Sequence, residues 1–131
     1  MLYEDLTERI IKCFYKVYNA LGYGFLEKIY ENALVYELKK ENLKIQKQHP
    51  ISVYYRDIVV GEYFADILIE DKIIVELKAA EVINKAHEAQ LTNYLKATDK
   101  KVGLLLNFGK EAKFKRIINQ KQKSARIRGN P

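Results

Sequence analysis

Glu76 and Lys78 interrupt an otherwise apolar run, Lys72-Ile73-Ile74-Val75-Glu76-Leu77-Lys78-Ala79. Two positions apart on a strand, their side chains point to one face. Burying such charges costs several kcal/mol each unless they are paired, hydrogen-bonded or bound to a metal. By itself the E-x-K spacing suits a structural salt bridge or a strand's solvated end. Asp66 alters that balance, because Tyr63-Phe64-Ala65-Asp66-Ile67-Leu68-Ile69 sets a further acid inside a second apolar run, ten residues before Glu76. With Glu70-Asp71-Lys72 as a three-residue loop, Asp66 falls opposite Glu76 on the same face; a two-residue loop would separate them. Two carboxylates and the Leu77 carbonyl between them are hard oxygen donors suited to Mg²⁺ or Mn²⁺. Lys78 points at the same place. A cation held there can orient a water and stabilise charge on a phosphoryl centre, the requirement for hydrolysing a phosphodiester.

Such a cluster needs strands to carry it and helices to cover them. Leu6, Ile10, Phe14, Val17 and Leu21 recur at helical spacing, and Asp5 with Glu8 resembles a capping box, predicting a first helix over about Leu6 to Leu21. Gly22-Tyr23-Gly24 ends it. A second helix is expected over about Leu26 to Glu41, with Ile29, Ala33, Leu34 and Leu38 inward. Strands are predicted at Ile51 to Tyr55 and Ile58 to Val60 around an Arg56-Asp57 turn, with a bulge or bend at Gly61. Tyr63 to Ile69 and Ile73 to Ala79 follow, nearly continuously apolar as in strands covered on both faces. A third helix over about Asn84 to Ala97, a strand at Val102 to Phe108 and a final helix over Glu111 to about Asn119 complete the order. The expectation is one α/β domain with a mixed central sheet flanked by helices.

Composition narrows the function classes. The 131 residues are 48% hydrophobic and 31% charged, which suits a single folded domain. Cys13 is the only cysteine, so disulfide frameworks and cysteine-based zinc sites are excluded; near the apolar face of helix 1 it reads as a small buried hydrophobe. His49 and His87 show no ligand or triad spacing. Walker, dinucleotide-glycine and Ser-His-Asp patterns are missing, which leaves acyl transfer, nucleotide hydrolysis and redox chemistry without support. The sequence shows neither a signal-peptide pattern nor an apolar run long enough for a membrane helix, so a cytoplasmic protein is expected. The net charge of +6 is uneven. Residues 1–109 hold 15 Lys/Arg against 16 Asp/Glu, while residues 110–131 hold eight against Glu111 alone. The last segment, with Lys113, Lys115, Arg116, Lys121, Lys123, Arg126 and Arg128, reads as an arm for a polyanion backbone or as a solubilising terminus, residues 119–131 forming a flexible tail. Most of the ten tyrosines fall at core spacing, so base stacking receives little weight.

The acid, strand and E-x-K order resembles the PD-(D/E)XK nuclease superfamily, and the chain looks closest to its GxxExxY branch. The branch motif is Gly24-Phe25-Leu26-Glu27-Lys28-Ile29-Tyr30. Further likeness runs through Tyr36-Glu37-Leu38, Asp66, Glu76-Leu77-Lys78, Gln90 to Leu95 and Gly103 to Gly109. The resemblance implies a restriction-endonuclease-like αβββαβ core within residues 1–118. It makes Asp66 and Glu76 the metal acids, Lys78 the catalytic lysine and Glu27 an additional acid near the metal. Gln90 would line the site, with Tyr94 packed beneath it, and Tyr30 would hydrogen-bond a phosphate or hold Glu27, the alternative being a core tyrosine. Departures are Ala65 in place of proline, Tyr18 where a histidine is expected after Val17, and Tyr23 in place of proline. The implied activity is Mg²⁺- or Mn²⁺-dependent hydrolysis of nucleic acid, DNA by preference, by a homodimer or within a larger nucleic-acid-processing complex. The competing expectation is a non-catalytic binding or accessory module that keeps the fold.

Overall fold

The computed structural model describes residues 1–119. Helix α1 spans Glu4–Leu21 and α2 Glu27–Lys40; strands β1, β2 and β3 span Ile45–Tyr55, Ile58–Ile69 and Ile73–Lys78; α3 spans Lys85–Lys96, and β4 and β5 span Val102–Phe108 and Ala112–Ile118. The strands form one sheet in chain order. β3 and β4 are parallel and the other neighbours antiparallel. A parallel pair requires a crossover, which α3 supplies.

Each sheet face has its own core. Ile67, Ile69, Val75, Leu77, Leu104 and Leu106 pack with Ile10, Phe14, Leu34 and Leu38 of α1 and α2. Ile51, Ala65, Leu68, Ile74 and Leu105 pack with Leu91, Tyr94 and Leu95 of α3. Coverage on both faces explains why β3 and β4 read as continuous apolar runs.

Several expectations are corrected. The last described element is a strand rather than a helix. β5 pairs with β4 from Phe108↔Ala112 to Val102↔Ile118, closing a free sheet edge, and this tertiary pairing overrides a helical reading of seven residues. Asn119, assigned to the tail, is tied down: its side-chain amide donates to the Leu95 and Lys100 carbonyls at 2.8 and 2.7 Å. β1 begins at Ile45, six residues before the expected start, because an outer strand can be polar and can hold Pro50. α1 begins without a side-chain cap; Tyr3 precedes it in left-handed geometry, φ 56°, and Glu4 and Asp5 meet the positive end of the helix dipole. In α2 the inward face is turned from the expected one. Ile29 is exposed, while Tyr30, Glu31, Leu34, Val35 and Leu38 are buried. The Arg56-Asp57 turn forms as expected, and the β1–β2 register slips between Val53↔Gly61 and Tyr54↔Val59, leaving Val60 as the extra residue of a bulge beside Gly61.

A candidate acid site at a fork between two strands

The loop between β2 and β3 has the required length. Ile69 pairs with Ile73, Leu68 with Ile74 and Ile67 with Val75. The ladder stops there, so Asp66 and Glu76 stand where the two strands part. Their side chains replace the missing backbone bonds. The Asp66 N–H donates to Glu76 Oε2 at 2.8 Å, and the Leu77 N–H donates to Asp66 Oδ2 at 2.8 Å. Each acid thus satisfies an amide of the opposite strand. A local irregularity aims Asp66 into the fork. Gln48, at the matching place on β1, has φ 50°, and the inward alternation of β2 slips, with Ala65 and Leu68 both in the α3-side core.

Burial and nearby negative charge shape the two carboxyls. Glu76 is 4% exposed, and burial, followed by the charge of Asp66, pushes its pKa up to about 8, only partly offset by the Asp66 N–H and by Lys78. Asp66 is raised in the same way, chiefly by burial; the Leu77 N–H counters this, and the charges of Glu31 and Glu27 reinforce it. Four acids therefore share one field, with Lys78 as the nearby cation acting on both Asp66 and Glu76.

Lys78 is positioned by α3. Its Nζ donates to Gln90 Oε1 at 3.2 Å, and Gln90 Nε2 donates to the Tyr94 hydroxyl at 3.1 Å. Burial, then the charges of Glu76 and Asp66, raise the Tyr94 pKa to about 12, so this hydroxyl keeps its proton near neutral pH. α3 starts on a capping box in which Asn84 Oδ1 accepts from the His87 N–H at 2.9 Å and His87 Nδ1 accepts from the Asn84 N–H at 3.3 Å. That gives His87 a structural task the spacing did not suggest. Beyond Lys78, the Asn107 amide clasps both backbone groups of Ala80 at 2.9 Å, fixing how the chain leaves β3. A Cβ at Gly109 would collide with the Ala80 carbonyl, so this close approach requires glycine.

Not every expected residue converges. Among the described residues, no group of three or more His, Cys, Asp or Glu side chains is gathered closely enough to hold a metal ion. Glu27 therefore reaches the acids through its field and is not brought into a ligand cluster with them. Asp66 and Glu76 remain a fitting donor pair for a hard cation that keeps most of its waters, and their raised pKa values mark a place where added positive charge would relieve repulsion. Tyr30 is corrected from a phosphate contact to a brace. It is fully buried, its ring stacks on Phe108 at 4.3 Å, and its hydroxyl donates to the Gly22 carbonyl at 2.7 Å and accepts from the Phe25 N–H at 3.2 Å. It holds the turn that launches Glu27. Tyr18, standing where a histidine was expected, places its hydroxyl 2.7 Å from the carbonyls of Gly109 and Lys110. Lys113, Lys115 and Arg116 lie on β5 at the sheet's far edge, where Lys113 pairs with Glu111 at 3.3 Å, Lys115 with Glu88 at 3.2 Å, and Arg116 donates to the Leu2 carbonyl at 2.7 Å. Lys121, Lys123, Arg126 and Arg128 lie outside the described residues.

Sequence reasoning missed Glu31. It is 6% exposed, bonded to Gln48 Nε2 at 3.4 Å and 3.9 Å from Lys28, and it acts on Asp66. The available signal was its position four residues after Glu27, one turn along the same helical face.

The profile of the PD-(D/E)XK nuclease superfamily matches residues 4–118. The chain belongs to that superfamily. As a PD-(D/E)XK protein it has the α/β architecture expected, a five-stranded mixed sheet flanked by helices. The fold is also similar to a solved structure described as "Crystal structure of SSO0001", with a TM-score of 0.57, 18% identity and 96% of this chain aligned. The alignment spans 65% of that longer chain, and at this identity the likeness concerns the fold alone. No curated protein matches the chain. Superfamily membership points to nuclease-type chemistry on nucleic acid, for which PD-(D/E)XK proteins generally use divalent metals. Among the described residues no helix is long and apolar enough to cross a membrane.

Proposed function

We propose that this chain is a divalent-metal-dependent nuclease that hydrolyses phosphodiester bonds, with DNA as the preferred substrate and the β2–β3 fork as its active site. The observation that carries the reading is the pair of interlocked carboxyl groups, Asp66 and Glu76, with the Lys78 ammonium held beside them by Gln90. A purely structural ion pair would place Lys78 on a carboxylate. Here it is bonded to a neutral amide, which leaves its charge available to a substrate.

Asp66 and Glu76, with the Leu77 carbonyl between them, would hold Mg²⁺ or Mn²⁺. Bound there, the ion would supply positive charge to the phosphoryl oxygens and acidify a water. The protein's own groups do the rest. Lys78 Nζ, fixed by the Gln90–Tyr94 chain, orients the attacking water or steadies the charge growing on the phosphate. Glu27 and Glu31 keep the local field negative, which strengthens the hold on a cation. Tyr30 and Asn107 keep the backbone on either side from shifting. Within the superfamily, the Gly24, Glu27 and Tyr30 spacing supports placement in the GxxExxY branch, the tyrosine closing the turn that sets Glu27 at the first position of α2.

Incubating the full chain with end-labelled single- and double-stranded DNA in Mg²⁺ or Mn²⁺ tests the proposal. Cleavage should require metal and disappear in Glu76→Gln and Lys78→Met. Binding without cleavage under every metal would favour a non-catalytic module, and cleavage surviving both substitutions would remove the fork from the chemistry.

A further inference from the structure

Strand β2 outruns its neighbour β3. Only Ile67 to Ile69 pair with β3, while residues 58–65, apart from the bulge residue Val60, pair with β1 alone and form a two-stranded arm. Between this arm and α3 lies a groove of about 250 Å³ whose lining includes Ser52, Tyr54, Tyr63, Asn93 and Lys96. Its ring on the α3 side, Tyr63, is accessible, being 50% exposed. Tyr63 rests on Tyr94 with ring centroids 5.4 Å apart. Tyr94 in turn is bonded to Gln90, which holds Lys78. The groove is thus joined to the acid fork through three successive side-chain contacts.

We infer that this groove is a subsite for a nucleotide of single-stranded nucleic acid lying beside the scissile phosphate, with Tyr63 offering its ring face to an unpaired base, the Asn93 amide meeting the base edge and Lys96 a backbone phosphate. The inference rests on the fork being the site of phosphodiester chemistry. An aromatic face next to a cationic side chain makes up the sequence-tolerant grip by which proteins hold unstacked strands, and the faces of bases stacked within a duplex are already covered by their neighbours. The mixture of ring, amide and ammonium also argues against a purely apolar partner. Val53 and Ala97 contribute apolar walls, whereas Ile58, Val59 and Val60 sit near the arm's tip and do not line the groove.

The test is fluorescence anisotropy of labelled oligothymidylate with the full chain in chelator, so that binding is read without cleavage. Tyr63→Ala should weaken binding roughly five- to 150-fold, and Tyr63→Phe should restore it. Lys96→Ala should lower the salt slope by about 0.7. A blunt duplex should lose no affinity on Tyr63→Ala. Wild-type protein that fails to bind the single strand, or a Tyr63→Ala variant that binds it as the wild type does, overturns the inference. So does sedimentation in which Tyr63→Ala converts a dimer to a monomer with DNA affinity unchanged, which would assign the face to a second copy of the chain. The two readings fail separately. Tyr63-dependent binding with no cleavage in any metal would refute the nuclease and leave the groove standing, whereas metal-dependent cleavage with Tyr63-independent binding would do the reverse.

Discussion

Strand β2 has two halves with opposite physics. From Ile67 to Ile69 it lies between β1 and β3, its side chains wholly buried in the two cores. From Ile58 to Phe64 it has β1 alone for a partner, and Ile58, Val59, Val60, Tyr63 and Phe64 are all at least half exposed. Asp66 marks the change. The buried half exists to hold a carboxyl pair that no solvated strand could keep in register, while the exposed half leaves rings and backbone open to a partner. The same residue types thus do different work: an isoleucine at 67 closes the core and one at 58 covers nothing.

The largest effect expected from that contrast is chemical. Removing the ammonium in Lys78→Met should reduce metal-dependent cleavage by about 10²- to 10⁴-fold while the melting temperature stays near that of the wild type. Loss of activity that merely tracks unfolding would mean that Lys78 is structural.

Stability should divide along the strand. Ile67→Ala should cost about 2–5 kcal/mol in urea unfolding, and Ile58→Ala no more than about 0.5 kcal/mol. Equal losses would show that the arm is covered in solution.

Asn107→Ala should cost about 1–3 kcal/mol, because Ala80 would lose both partners of its backbone N–H and C=O. The same variant should also weaken cleavage, since the chain leaving Lys78 is released. A stable but inactive Asn107→Ala would separate positioning from folding.

A further effect concerns pH. Glu76 titrates near 8 when folded against 4.5 as a free side chain, so the folded state holds the proton more tightly between those values. Its contribution to stability is complete below about pH 4.5 and is lost as pH rises towards 8. Metal-free protein should therefore melt at a lower temperature at pH 8 than at pH 5.5, and Glu76→Gln should flatten that part of the profile. A wild-type curve unaltered by the substitution would place the titration elsewhere.

How much was legible in the sequence follows the same division. Asp66, Glu76 and Lys78 stood out because a charge inside a doubly covered strand is costly and must have a reason, and the three-residue loop set their register. The two outer strands were hard to see. The first half of β1 is polar on its open side, and β5 carries Lys113 and Lys115 among short apolar runs that suit a helix equally well. Glu31 was hidden by a rotation of α2, whose buried side includes a glutamate and leaves Ile29 exposed. The groove was hidden because exposed tyrosines on a projecting arm have the same spacing as tyrosines in a core; only the early end of β3 distinguishes them.

The central claim is that the two acids of the fork share a divalent cation. Titration calorimetry with Mn²⁺ at pH 7, repeated in buffers of different ionisation enthalpy, tests it most directly. One ion should bind per chain with net release of protons, because binding forces Glu76 to ionise, and Glu76→Gln should abolish both signals. Binding of equal affinity in Glu76→Gln, or no proton release in the wild type, would contradict it.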